Sequence, residues 1–554
     1  VRIVSEAKGS RFSVSPVPSS TAVFVGRRRE PPIRQEISFS IRFATGRSAG
    51  RGIRMLDVGS NGRSWKDGVI RRDEIDKYLA GGRDFIDDAL IREQLARNAE
   101  PDPARIRDIL ARAAAIESLD PEDLAALLNV HDEGLWEEMF AAAAAVKTKV
   151  YDNRVVTFAP LYLGSKCVND CIYCGFRASN GAIERRALSF EEIEAETRIL
   201  AGRLGHKRIV AVYGEHPETD ADYIAESMRR IYGVKVKARV GHGEIRRVNI
   251  NAAPMSIVDL RKLQDAGIGT FQVFQETYDH AVYRSVHPAG TIKADYDWRL
   301  YSLHRAMDAG IDDVAIGALF GLADWRFEVM GMLYHAKDLE RQFALGPHTV
   351  SVPRIEPAAD TDFGWLTNRV SDRDFKRLVA ALRLAIPYAG LIVTCRESPE
   401  MIRDVIPMCT QRDASSRIGV GAYEDSSKNQ KEERQQFMLG DTRSLDEVIR
   451  ELASMGYITS FCTAGYRCGR TGKKIMGLLK SGREGCFCKL NAVLTFQEWL
   501  EDFASPETRL LGDEIIEREI AEIKAREGDF GYAIVRELIE DRARIIGGER
   551  DIYF

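Results

Sequence analysis

The chain has 554 residues, 45% of them hydrophobic and 29% charged, enough for several cores or for one large barrel with extensions. Its 79 basic and 83 acidic residues leave a net charge of -4 without a basic stripe, which argues against nucleic acid as the main partner. No apolar run reaches the ~18 residues of a membrane helix, and nine cysteines are too few for a secreted disulfide scaffold.

Residues 1–54 hold eleven basic and three acidic residues and no amphipathic period. They read as upstream translated sequence, with Met55 as the start. An Arg- and Ser-rich, acid-poor stretch also suits an organelle transit peptide. The expected location is accordingly the cytoplasm, or an organelle matrix if the leader is a transit signal.

Residues 84–150 repeat apolar positions at three and four, which predicts helices in ARIRDILARAAAIESL, PEDLAALLNV and EEMFAAAAAVKTKV, with Pro121 in a first turn. From about residue 151 the pattern alternates. RVVTFAPLYLG (154–164) is a predicted strand, followed by a cysteine loop and a helix opened by Ser189 with Glu192 as its capping-box partner. KRIVAVYG, RRVNINAAP, TFQVFQET, DVAIGALFG, HTVSVPRI and GLIVTC predict further strands, and RIGVGAY (417–423) another. Two intervening helices end in Asp-Ala-Gly, at 265–267 and 308–310, where glycine stops the helix. The expected fold is a (β/α)8 barrel at 151–425, with a helical N-terminal region at 55–150 and a cysteine-containing C-terminal extension at 426–554. In that architecture chemistry sits on the loops at the carboxyl ends of strands.

The cysteine loop reads Cys167-Val-Asn-Asp-Cys171-Ile-Tyr173-Cys174. Three thiolates in a tight loop can ligate three irons of a cubane and leave the fourth iron open. A structural zinc site would call for a fourth close Cys or His, and the nearest histidine, His206, is 32 residues beyond Cys174. Four more cysteines, Cys462, Cys468, Cys486 and Cys488, lie within 27 residues of one another. Cys395 and Cys409 read as buried small hydrophobes.

With that loop, the stretches FAPLYLGSKCVNDCIYCGFR, GHKRIVAVYGEHPE, RRVNINAAP, GPHTVSVPR, LGDTRSLDEVIRELASMGY and SFCTAGYRCGRTG resemble the radical S-adenosylmethionine tyrosine lyases that mature FeFe-hydrogenase, the HydG type. The likeness runs from about residue 84 to about 505. It implies a 4Fe-4S cluster whose open iron chelates S-adenosylmethionine. It also implies hydrogen abstraction from tyrosine and Cα–Cβ cleavage to p-cresol and dehydroglycine. In the maturation type a second, C-terminal cluster then yields carbon monoxide and cyanide on iron; a related lyase stops at dehydroglycine for thiamine thiazole synthesis. A non-catalytic iron–sulfur carrier is the alternative from another class. Other hydrogenase maturases and a reductant protein are the implied partners, with no role for nucleic acid or membrane.

Carried over residue by residue, the resemblance places Gly214 and Glu215 at the amino group of S-adenosylmethionine. Gln275, Glu276 and one of Asn249 and Asn251 are expected to face the same pocket, with Tyr173 in the cluster loop. Ser351 and Arg354 are expected at the tyrosine carboxylate, where an arginine fork suits a bidentate partner, with a structural ion pair as the competing reading of Arg354. His335 is carried over as a ligand of the labile iron of the second cluster, with His348 competing. One departure stands out: the family spaces its three C-terminal cysteines by two and twenty-two residues, and here Gly465 stands between Cys462 and Cys488 at the middle position. A cluster re-ligated through Cys468 or Cys486, a zinc site of four thiols and a decayed site are the open readings; re-ligation through Cys468 is the expectation.

Overall fold

A computed structural model describes residues 65–424, 435–481 and 484–554, the side chains of residues 67, 484–487, 527 and 529 excepted. The leader read at 1–54 lies outside the described residues, as does the side chain of Cys486.

Eight parallel strands close into a barrel: β1 Arg154–Gly164, β2 Arg208–Tyr213, β3 Arg247–Asn251, β4 Phe271–Gln272, β5 Val314–Gly317, β6 Thr349–Ser351, β7 Gly390–Val393 and β8 Gln411–Asp413. Closure comes from β8 pairing back onto β1, with Val156 opposite Gln411 and Phe158 opposite Asp413. β1 is the longest strand because it serves three neighbours. Its first residues also pair with a ninth parallel strand, β9 Ile458–Ser460, and its last six run beside β2. Every residue of β1 is buried, as expected of a parallel strand covered on both faces.

Side chains alternate across the barrel wall. Val155, Ala159, Leu161, Val248 and Ile250 belong to the large core under the helices, while Phe158, Val210 and Ile392 form a separate cluster, on the opposite parity and therefore inside. The predicted elements fall close to the observed ones. Helices occupy Pro103–Ala113, Pro121–Leu128 and Glu133–Tyr151. The Ser189 capping box is present, and Gly267 and Gly310 stop their helices at φ +81° and +94°. RIGVGAY is the exception: Gly419 makes one isolated bridge to Gln435, and the eighth strand is the polar segment Gln-Arg-Asp at 411–413. Arg412 is acceptable there because Asp441 pairs with it at 3.0 Å in a fully buried contact.

Beyond the barrel, the helix Glu484–Asp502 is pinned to the starts of β2 and β3 by Glu498, which meets Lys207 at 3.0 Å and Arg246 at 2.8 Å. Burial raises the Glu498 pKa, but the two cations overcome it and hold the carboxylate at about 2. Among the described residues no helix is long and apolar enough to cross a membrane.

Candidate active site

The cavity at the carboxyl ends of the strands is built by alternation. Its lining includes Phe158, Pro160 and Tyr162 on β1, Asn251 on β3, Gln272 on β4 with Phe274 and Glu276 after it, and Ser351 on β6 with Pro353 and Ile355 after it. Thr394 and Arg396 follow Ile392 from β7 on the same parity. The three loop thiols, Cys167, Cys171 and Cys174, open into this cavity together with Tyr173.

The cysteine loop is held by backbone bonds. Val168 N donates to Glu215 O at 2.8 Å, Ile172 N to Val286 O at 3.2 Å and Cys174 N to Cys171 O at 3.1 Å. Gly214 is required where β2 passes beneath the loop, because a Cβ there would stand 2.2 Å from Lys166 O. Tyr173 is fixed through its hydroxyl, 2.8 Å from His287 Nε2. His287 is pulled down to about 2 by burial and by Lys293 and Arg299, so it is neutral. Its Nδ1 lies 2.9 Å from Tyr283 O, which assigns the proton to Nδ1 and leaves Nε2 to accept from Tyr173.

Two carboxylates in the cavity differ in state. Burial raises the Glu215 pKa; Asn169 donates to one of its oxygens, and Oε1 is buried without a partner. Glu276, at φ +71°, meets Lys293 at 2.7 Å and Arg299 at 3.0 Å. Burial raises its pKa, but these cations outweigh it and keep Glu276 ionised. Burial raises all three loop thiols, Cys171 to about 11. Buried thiols of that kind are neutral until a metal ion displaces the proton. Among the described residues no three His, Cys, Asp or Glu side chains converge on a single metal ion; a cubane holds its ligands further apart than one ion does.

Most of the expected site residues meet here: Gly214, Glu215, Glu276, Asn251, Tyr173, Ser351 and the three cysteines. Three do not. Gln275 is buried outside the lining, off the parity of Gln272 and Glu276. Asn249 lies deeper and accepts from Thr270 N at 2.9 Å. Arg354 is off the parity of Ser351 and Pro353 and turns to Glu397, whose two oxygens each lie 3.0 Å from its Nε. The structural ion pair is the geometry observed. The arginine that continues the inward parity of β7 is Arg396, whose guanidinium lies 3.3 Å from the centre of the Phe437 ring. Lys293 and Arg299 are further cavity residues that sequence spacing did not single out.

The opposite end of the barrel carries the C-terminal cysteines. Cys462, held at φ +48°, and Cys488 line one small cavity with Arg154, Gly465 and Asn491. Cys468 is outside that lining: its Sγ lies 3.4 Å from Phe554 O. His335 is not in that region. It is buried on the outer helix Trp325–Phe343, 2.9 Å from the Tyr278 hydroxyl and stacked against His304. His348 is the histidine that adjoins Cys462. Cys395 and Cys409 are buried, as expected.

Family models for the radical SAM superfamily and for the biotin and thiamin synthesis associated domain match residues 161–328 and 351–458. The crystal structure of HydG, a maturase of the [FeFe]-hydrogenase, aligns with a TM-score of 0.80 at 42% identity, covering 85% of this chain and 100% of that one. HydG from Carboxydothermus hydrogenoformans aligns with a TM-score of 0.68 at 34% identity over 81% of this chain and 98% of its own. The 2-iminoacetate synthase of Salmonella typhimurium is 30% identical over 369 residues, 65% of this chain and 93% of the relative.

Proposed function

This chain belongs to the radical S-adenosylmethionine superfamily, in the group of the HydG maturases and the 2-iminoacetate synthases, and from that membership we propose that it is a HydG-type lyase cleaving the Cα–Cβ bond of tyrosine to p-cresol and dehydroglycine. The observation that carries the reading is convergence: three thiols and a buried carboxylate oxygen without a partner meet in one cavity at the carboxyl ends of the strands.

The residues present fit the implied groups. Cys167, Cys171 and Cys174 would ligate three irons and leave the fourth open. Glu215 Oε1 would accept the ammonium of S-adenosylmethionine, a charge-assisted bond that would favour ionisation of a carboxyl now raised by burial. Bound together, the cluster and S-adenosylmethionine supply the one-electron chemistry that no side chain here can.

The chain's own residues bind and orient. Arg396, inward just after β7 and stacked on Phe437, is the donor fork for the tyrosine carboxylate, with Ser351 at the end of the neighbouring strand. Glu276 is occupied by Lys293 and Arg299, so it fixes those cations in the wall. Phe158, Val210 and Ile392 give the cavity an apolar wall that offers water no hydrogen-bond partner. A reductant protein and other maturases are the partners this reading calls for.

The test is the variant with Cys167, Cys171 and Cys174 all changed to Ala. It should bind no iron at this loop and release no 5′-deoxyadenosine from S-adenosylmethionine. Release at the wild-type rate would exclude the radical reading.

A further inference from the structure

The C-terminal cysteines of this chain do not fit the second cluster that its relationship implies. The cavity shared by Cys462 and Cys488 measures about 10 Å³, and the adjoining space beside Cys462, below Arg208 and His348, about 30 Å³. The first is room for about one water. Among the described residues the cavity at the cysteine loop has about 240 Å³, so a bulky group fits there as the chain stands, whereas at the C-terminal cysteines it would have to displace side chains first.

The ligand set is also short. A cubane with three protein ligands needs three thiolates, and among the described side chains two, Cys462 and Cys488, line this cavity with sulfur. Cys468 is tied down beside the cavity and does not line it: Phe554 O, 3.4 Å from its Sγ, also accepts from Arg470 Nη2 at 2.8 Å and from the lining residue Asn491, Nδ2, at 3.3 Å. Swinging Cys468 toward Cys462 would dismantle that knot. Gly465, by contrast, lines the cavity itself. Nothing in the backbone demands glycine there. It sits in the short helix Ala464–Arg467 without a left-handed φ, and a Cβ would meet nothing closer than Arg470 atoms at 3.9 Å. The contrast with Gly214, where a Cβ would collide at 2.2 Å, separates an enforced glycine from a permitted one.

We infer that the C-terminal site is a two-thiol site one ligand short, that the chain holds one cubane, and that Gly465 marks the missing corner. A thiol at 465 would lie beside the Arg470 guanidinium, which favours the thiolate form. Taken with the tyrosine-lyase reading, on which this consequence rests, dehydroglycine is the last product the chain makes alone. Cyanide formation would then need a cluster supplied from outside.

The experiment is anaerobic reconstitution of the full chain with ferrous iron and sulfide, followed by iron analysis and electron paramagnetic resonance. Wild type should hold about four irons, one cubane's worth. The Cys167/Cys171/Cys174→Ala variant should hold almost none, and Cys468→Ser and Cys486→Ser should leave the wild-type count unchanged. Gly465→Cys should double the count to about eight, with a second cubane signal that survives in the triple-alanine background. The inference is overturned by about eight irons in wild type, by about four retained in the triple variant, or by a Gly465→Cys protein that makes p-cresol normally and gains no iron. p-Cresol is scored separately: four irons without p-cresol would remove the lyase reading and leave the iron inference standing.

Discussion

Replacing Arg354 with Ala should cost stability and leave tyrosine binding alone. The guanidinium meets both oxygens of Glu397, a carboxylate whose side chain is 1% exposed, while its own is 15% exposed. Removing one partner of a buried pair costs about 3–5 kcal/mol, because the survivor is left without compensation. The lower end applies here. Burial already pushes the Glu397 pKa up even with Arg354 beside it, so an orphaned Glu397 takes up a proton and sheds part of the penalty. The second ion pair, to Asp372 at 2.8 Å, adds little because Asp372 is 77% exposed. A loss near 3 kcal/mol is a large share of the ~5–15 kcal/mol by which proteins are stable. The assay pairs the denaturant midpoint of the reconstituted variant with its KM for tyrosine, which should stay within about twofold because Arg354 is outside the cavity lining. A tenfold rise in KM, worth about 1.4 kcal/mol, with an unchanged midpoint would refute the assignment and return Arg354 to the substrate.

Arg396→Lys should do the reverse, raising the tyrosine KM about tenfold or more as the bidentate fork is lost, with stability close to wild type; an unchanged KM would remove Arg396 from the carboxylate. Glu328 gives a pH signature: burial pushes its carboxyl from 4.5 up to about 8, with Thr277 Oγ1 and Tyr278 N donating to it at 2.5 and 2.8 Å. The folded state keeps a proton that the unfolded state gives up, so this contribution is full below about pH 4.5 and is lost as the pH rises through about 8. Glu328→Gln should therefore flatten the fall in unfolding midpoint between those limits; an identical slope in the two proteins would contradict it.

How far the sequence was legible follows from what each segment asks of its neighbours. β1 could be bounded to the residue because a strand buried on both faces is a continuous apolar run. β8 could not. Its residues are Gln, Arg and Asp, and Arg412 is admitted to the wall only because Asp441, 29 positions away, meets it there. The loop cysteines could be singled out by their spacing and Gly-Glu at 214–215 by the family resemblance alone, and the structure puts both in the lining of one cavity. Arg354 and Gln275 were misplaced for a simpler reason: both are one residue off the alternation that sets the lining, so Pro353 and Glu276 face the cavity instead. Applied through β7, the same alternation selects Arg396 after Ile392 and Thr394. The burial of His335 among Tyr278, His304 and Phe85 depends on helix packing that no local spacing encodes.

Turnover with tyrosine tests the central claim most directly. Reconstituted protein, given S-adenosylmethionine, a reductant and tyrosine, should release p-cresol and dehydroglycine in step with 5′-deoxyadenosine, and none of the three without tyrosine or without the loop cysteines. 5′-Deoxyadenosine accumulating with tyrosine left intact would contradict the account, because it would leave the radical chemistry in place and take away the substrate.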